Sequence, residues 1–415
     1  MTPPLYGRAH RGLVVAAVLL SIIGVAAGQA PRASSPEEPP AVRCGVDVLA
    51  RDGFRPLVGR RVGLITNHTG VDQSGRATLD LLRAAPGVTL VALFSPEHGL
   101  LGTKDEKIGH GTDPNTGLRI WSLYGETKRP TAEMLEGIDT LVYDIQDIGT
   151  RFYTYIATLG YAMEEAAPRN IRVVVLDRPN PITGTRVFGP LSERTGEFTS
   201  YDHLPLVHGM TVGELAKMFN AERNLGVDLV VVHMEGWKRR MWWDETGLTW
   251  INPSPNMRSL TQATLYPAVG LVEACKVSVG RGTDTPFERL GAPWLDGRRL
   301  AARLNARDLP GVRFVPFTFT PQSSKHAGKL CGGVQVLLLD RERFDPLETG
   351  LAIAAELEAL HPESFDYENV DKLLMHTGVL RAATQPADAA DRIQKTWKAD
   401  FEAFLVLRAK YLLYE

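Results

Sequence analysis

The chain has 415 residues, 44% of them hydrophobic and 23% charged, an ordinary globular composition with length for about two or three domains. Its formal net charge of −2 gives no global basic field, and there is no long run of like charge, so no nucleic-acid partner is expected. In chain order, Arg8 and Arg11 precede the apolar stretch 13–27, "LVVAAVLLSIIGVAA", and small residues follow. That layout predicts a secretory signal over residues 1–30, because 15 apolar residues fall short of the ~20 that a spanning helix needs. Cleavage after Ala27 or Ala30 would leave no stable membrane anchor and a periplasmic or extracellular protein. No cysteine follows the apolar run directly, which argues against a lipid-anchored form. Residues 31–41 are polar and proline-rich and read as a linker.

From 42 to 250 the chain alternates short β-rich runs with helical stretches. The runs are 60–66, 88–94, 139–145, 171–177 and 227–234; the expected helices are 77–84, 131–135, 154–167 and 212–220. Thr211 and Glu214 form a capping-box signature for the last. Strands apolar on both faces and separated by helices predict a parallel, Rossmann-like α/β sheet covered on each side. After 249–257, "TWINPSPNM", Pro253, Pro255 and Pro267 break the regularity. A Gly-rich loop at 278–291, helices at 296–306, 349–360 and 388–411, and strands at 312–319 and 333–340 then predict a smaller α+β domain over 251–415, closing a cleft. Three cysteines, Cys44, Cys275 and Cys331, allow at most one internal disulfide and match no zinc spacing.

In an open parallel sheet, ligands sit outside the carboxyl ends of the strands. Here those ends carry Asn67 and His68, Glu97 and His98, Asp144 with Asp147, Asp177 with Arg178 and Asn180, and His233 with Glu235. Glu97 is the most telling of these, because a glutamate is a poor turn former lodged between Pro96 and Gly99. Plainer roles exist for the others. Asp177 could cap the following helix, His68 could be a turn residue, and Asp147 and Arg151, four apart, could form an ion pair. The first turn lacks G-x-G-x-x-G, and there is no P-loop and no G-x-S-x-G elbow. His68, His98, His110 and Asp144 show no metal-ligand spacing, so neither a metal nor another cofactor is expected. Arg281 in "VGRGT" is either part of a tight loop or an arginine offered to an anion.

"SPEHG", "YDIQDIGTRFYTY", "LDRPNP", "HGMTVGELA", "SPNM" and "GRGTDTPFERLGAPW" resemble, in order, the NamZ-type (YbbC-like) exo-β-N-acetylmuramidases, over nearly all of the chain from Gly45 to "YLLYE". The resemblance implies a Rossmann-like catalytic domain, a smaller C-terminal domain, and release of N-acetylmuramic acid from the non-reducing end of peptidoglycan fragments. It assigns Glu97 as catalytic and places His98, Asp144, Arg151, Tyr153 and Asp177 in the same cleft. Arg258 and the run Ala274-Cys275-Lys276 depart from the family pattern at the rim.

The chemistry agrees with that expectation. Glycoside cleavage needs an acid for the leaving oxygen and a second group facing the anomeric carbon. Glu97 is the expected acid with His98 beside it, Asp144 the leading second carboxylate and Glu288 the runner-up. The lactyl carboxylate of a muramyl sugar calls for an arginine, Arg151 or Arg281. Asn67, His68, Asp147, Tyr153, Asp177, Arg178, Asn180, Asn256 and Thr283 complete the expected substrate-binding set. The 2-acetamido group of the sugar could instead act as internal nucleophile. Two rivals remain: a metal-dependent hydrolase, and a sugar-binding protein without turnover.

Overall fold

The five β-rich runs become the parallel strands of one sheet. The computed structural model describes residues 42–102, 109–384 and 387–415. The expected strands are β1 (Arg61–Thr66), β2 (Thr89–Ser95), β5 (Thr140–Asp144), β6 (Arg172–Leu176) and β9 (Leu229–Val232). The short strands β3 (Gly111–Thr112) and β4 (Arg119–Ser122) extend one edge, giving the order β3-β4-β2-β1-β5-β6-β9. Every neighbouring pair is parallel except β3 with β4. The chain leaves β1 in one direction through β2 and β4, then returns to β5 on the other side. The order therefore reverses between β1 and β5, where Thr66 is in register with Asp144.

Alternation along the strands builds two cores. Ile65, Phe94, Leu141, Tyr143, Val173 and Val175 face one, joined by helices Tyr155–Ala166 and Val212–Glu222. Val62, Leu64, Leu93, Val142, Val174 and Leu176 face the other, covered by helices Gly45–Arg51 and Thr78–Ala84. The predicted capping box is present, with the Glu214 amide donating to Thr211 Oγ1 at 3.3 Å and the Thr211 amide donating to Glu214 Oε2 at 3.0 Å. A hairpin of β7 (Phe188–Leu191) and β8 (Pro205–Val207) lies outside the main sheet.

The C-terminal domain carries an antiparallel sheet, β10 (Arg289–Ala292), β11 (Val312–Phe319) and β12 (Cys331–Leu338), ordered β10-β12-β11. Pro316 is tolerated because β11 is an edge strand. Helices Gly297–Ala306 and Pro346–Leu360 start at Asp296 and Asp345, whose carboxylates accept from the first-turn amides. The larger core continues from Phe94 and Tyr143 through Tyr266 and Leu290 to Val334 and Ile353, across the expected 250/251 boundary.

Two local expectations differ. Residues 131–135 form turns instead of a helix, since the stretch between Pro130 and Gly137 is too short to repay helix nucleation. A helix, Leu260–Val269, runs through Pro267; the proline lies in its last turn, and the chain tightens into a 3₁₀ turn at Gly270–Val272. Cys44, Cys275 and Cys331 are all buried free thiols, and burial pushes the first two up to about 12. The segments 1–30 and 31–41 lie outside the described residues, among which no helix is long and apolar enough to cross a membrane.

Candidate active site

Strand β2 ends at Ser95, and the chain turns within the next four residues. The Gly99 amide donates to the Pro96 carbonyl at 3.0 Å, and His98 and Gly99 both have left-handed backbones, φ 69° and 76°. Such a conformation is costly for a residue with a Cβ, about 1–3 kcal/mol, and persists where the surroundings fix it. The result leaves His98 buried and Glu97 half-buried at the strand end. Glu97 Oε2 accepts a hydrogen bond from the Thr154 hydroxyl. Thr154 occupies the N-cap of helix Tyr155–Ala166, yet its side chain makes no cap bond; it serves the glutamate instead.

Glu97 and His98 open onto a cavity of about 270 Å³. Phe152, Tyr153 and Thr154 come from the loop after β5, Ser254 and Met257 from the Pro-rich segment, and Tyr266, Glu273, Arg281 and Phe287 from the C-terminal half. The aromatic rings pack edge-on or tilted, with centroids 5.0 Å apart for Phe152 and Tyr266, 5.9 Å for Tyr153 and Tyr266, and 4.6 Å for Tyr266 and Phe287. Phe287, like His98, has a left-handed backbone, φ 61°. Arg281 Nε lies 2.5 Å from Glu273 Oε1, both about a quarter exposed. Burial pushes the Tyr266 hydroxyl well above its usual range, and the charges of Glu273 and Glu97 act in the same direction.

Of the residues expected from sequence, this cavity gathers Glu97, His98, Tyr153 and Arg281. It does not gather the rest. Asp144 is fully buried, accepts from Arg178 Nε at 2.6 Å and Nη2 at 2.9 Å, and takes the Thr78 hydroxyl as well. Fully buried and outside this cavity, it is in no position to attack a sugar there. Glu288, the runner-up, accepts from the Gln262 amide at 3.0 Å and does not reach the cavity. Asp177 takes the capping role: it accepts from Thr211 Oγ1 at 2.7 Å, the Gly213 amide at 2.8 Å and the Tyr414 hydroxyl at 2.6 Å. Asn180 bridges the Met210 carbonyl and the Ile182 amide.

Asp147 and Arg151 do not pair. Asp147 accepts from the Gly149 amide at 2.7 Å, while Arg151, 1% exposed, donates to the Leu373 and Leu374 carbonyls at 2.8 and 2.9 Å. Burial lowers the Arg151 guanidinium to about 9. Asn67 accepts from the Thr69 amide and hydroxyl, and His68 Nε2 lies 2.7 Å from the Asn252 carbonyl. Thr283 donates to the Gly280 carbonyl at 2.7 Å; Asn256 is buried beside the Pro-rich segment. His110 accepts from the Ser122 amide at 3.0 Å, and Glu235 pairs with Arg43 and Arg51. A larger cavity, about 910 Å³, opens where β1, β5, β6 and β9 end; Arg178 and Gln146 line it, but neither Glu97 nor Glu273 does.

Sequence reasoning missed Thr154, Tyr266 and Glu273. Thr154 lies inside the quoted "RFYTY", and Glu273 stands five residues before the Gly-rich loop and eight before its Arg281. The signal for Glu273 was an acid flanking a loop that carries a basic residue.

Residues 62–261 match the family model described as Exo-beta-N-acetylmuramidase NamZ, N-terminal, and residues 264–414 match its C-terminal counterpart. The chain is 43% identical over 380 residues to the peptidoglycan beta-N-acetylmuramidase NamZ of Bacillus subtilis strain 168, covering 90% of this chain and 92% of that protein. Two crystal structures of DUF1343 family proteins from Bacteroides fragilis NCTC 9343 superpose on it. One has a TM-score of 0.82 at 39% identity, the other 0.72 at 30%, each covering 90% of this chain and 99% of the other. Both halves of the fold, and the loops that build the cavity, fall within these matches, and the chain belongs to the NamZ family of exo-β-N-acetylmuramidases.

Proposed function

We propose that this protein is an exo-acting β-N-acetylmuramidase, a glycoside hydrolase that releases N-acetylmuramic acid from the non-reducing end of peptidoglycan fragments. The observation that carries this reading is the 43% identity to a peptidoglycan β-N-acetylmuramidase along 90% of the chain. The position of Glu97 on the wall of a small cavity supports it.

At about 270 Å³ the cavity lies below the roughly 300–1,000 Å³ of most ligand clefts, space for one sugar ring and not for a glycan strand. That favours action on a terminal residue. Glu97 gives its proton to the glycosidic oxygen as the bond to the anomeric carbon breaks, and the Thr154 hydroxyl orients the carboxyl group. Phe152, Tyr153, Tyr266 and Phe287 supply apolar surface for the ring, and the Arg281 guanidinium, on the same cavity, suits the lactyl carboxylate that distinguishes muramic from glucosaminyl sugars. The basic and apolar layout of residues 1–30 supports export to the periplasm or beyond, where peptidoglycan lies, and a role in cell-wall turnover and recycling.

The test is release of a chromophore from an aryl β-N-acetylmuramide, with the matching glucosaminide as control and a chelator in a parallel reaction. Turnover of the muramide alone, unaffected by chelator, is expected. Equal turnover of both sugars, or none of either, would overturn the reading; chelator sensitivity would favour a metal-dependent hydrolase.

A further inference from the structure

Resting on that functional reading, we infer that Glu273 is the second carboxylate of the reaction, acting on the α face of the β-glycoside while Glu97 protonates the leaving oxygen. Among the described residues that line the cavity, these two are the carboxylates. They come from different halves of the chain, Glu97 from the end of β2 and Glu273 from the turn that follows helix Leu260–Val269.

Their partners differ in the way two roles require. Glu97 is met by a neutral hydroxyl, that of Thr154; Glu273 is met by a guanidinium, with Arg281 Nε 2.5 Å away. A hydroxyl can donate to or accept from a carboxyl group, so the first setting serves an acid before and after its proton leaves. A group that must face positive charge developing at the anomeric carbon is suited to the second. The Glu273 backbone is fixed from both sides, its amide donating to the Gly270 carbonyl at 2.8 Å and its carbonyl accepting from Lys325 Nζ. The acids that sequence favoured for this role are engaged elsewhere, Asp144 by Arg178 and Glu288 by Gln262.

In the reaction the anomeric C–O bond breaks, and its electron pair goes to the leaving oxygen together with the proton of Glu97. The electron deficit on the anomeric carbon and ring oxygen is met by the Glu273 carboxylate. Water supplies the hydroxyl that the anomeric carbon keeps and the proton that returns to the carboxylate pair, so the hydrolysis balances.

The experiment uses the full chain with an aryl β-N-acetylmuramide, comparing wild type, Glu273→Gln and Glu273→Gly with and without sodium azide. Wild-type turnover establishes the functional reading separately; without it that reading falls, and this assignment falls with it. Glu273→Gln is expected to lower kcat by about 10³-fold with KM nearly unchanged. In Glu273→Gly, azide is expected to enter the space of the lost carboxylate and attack the anomeric carbon from the α face. Turnover then recovers, and the product is an α-glycosyl azide. A folded Glu273→Gly that azide does not revive overturns the assignment and leaves Glu273 as a counter-ion for Arg281. If Glu273→Gly fails to fold, Glu273→Gln decides: a fall in kcat alone supports the assignment, and a rise in KM alone overturns it.

Discussion

Glu97→Gln is expected to lower turnover by at least ~10²-fold on a substrate with a poor leaving group, the scale of losing a general acid. The loss should shrink with an activated aryl leaving group, which needs less protonation. The melting temperature should hardly move, because the swap is nearly isosteric and an amide oxygen still accepts from Thr154. Steady-state kinetics on the two leaving groups checks this; equal losses would remove Glu97 from the acid role. Arg281→Met tests selectivity. Stranding a substrate carboxylate costs on the order of 3–5 kcal/mol, so the preference for muramide over glucosaminide should fall by about 10²-fold or more. The ratio of kcat/KM values is the readout, since general damage through Glu273 would lower both. Glu97 was legible from sequence because nothing about a Pro-Gly turn calls for a glutamate. The aspartates at the other strand ends were equally visible but ambiguous: the sheet topology brings them to one edge, while the Arg178 guanidinium and the Thr211 and Tyr414 hydroxyls that claim them come from elsewhere in the chain.

At the scale of elements, the parallel strands could be read because their apolar runs leave no other solution. The short pieces could not. Helix Gly45–Arg51 has seven residues and is preceded by Cys44, whose amide donates to Asp47 Oδ2 at 2.9 Å, so the usual Ser, Thr, Asp or Asn signal is missing. Strands β3 and β4 are two and four residues long and half exposed, without a periodic signature. Gly45 explains how its helix docks. A Cβ there would lie 2.5 Å from the Asp177 amide nitrogen and 2.6 Å from the Val232 carbonyl oxygen, both main-chain atoms that cannot swing away. Gly45→Ala is therefore expected to cost about 1–3 kcal/mol, the usual range for overpacking. Chemical denaturation should show a lower midpoint with an unchanged slope.

Over the whole molecule, one core runs through both halves, and the cavity at Glu97 takes a carboxylate from each. All three thiols are buried, Cys275 in this core and Cys44 in the other, and burial raises each of them. The folded protein should resist alkylation at pH 8 and take three labels only after unfolding, as mass spectrometry would show. Fast labelling of one thiol would mean that its region opens locally. Residues 413–415 are fastened to the N-terminal domain. Tyr414 donates to Asp177 and accepts from the Met234 amide at 3.0 Å, the Leu413 amide donates to Glu214, and Arg239 donates its amide to the carbonyl of Glu415. Tyr414→Phe removes a hydrogen bond to a buried carboxylate, worth about 1.5–3 kcal/mol, and should lower stability by that amount without altering KM.

That fastening has a consequence for how the protein is made. Synthesis delivers β6 and the Asp177 carboxylate early, but the hydroxyl that helps to satisfy it belongs to Tyr414, more than 200 residues later. Domains generally fold as they emerge, the N-terminal one first. Here the first domain keeps a buried acid short of a donor until residue 414 has left the ribosome. A stop codon before position 414 would thus weaken the half of the protein farthest from it in sequence.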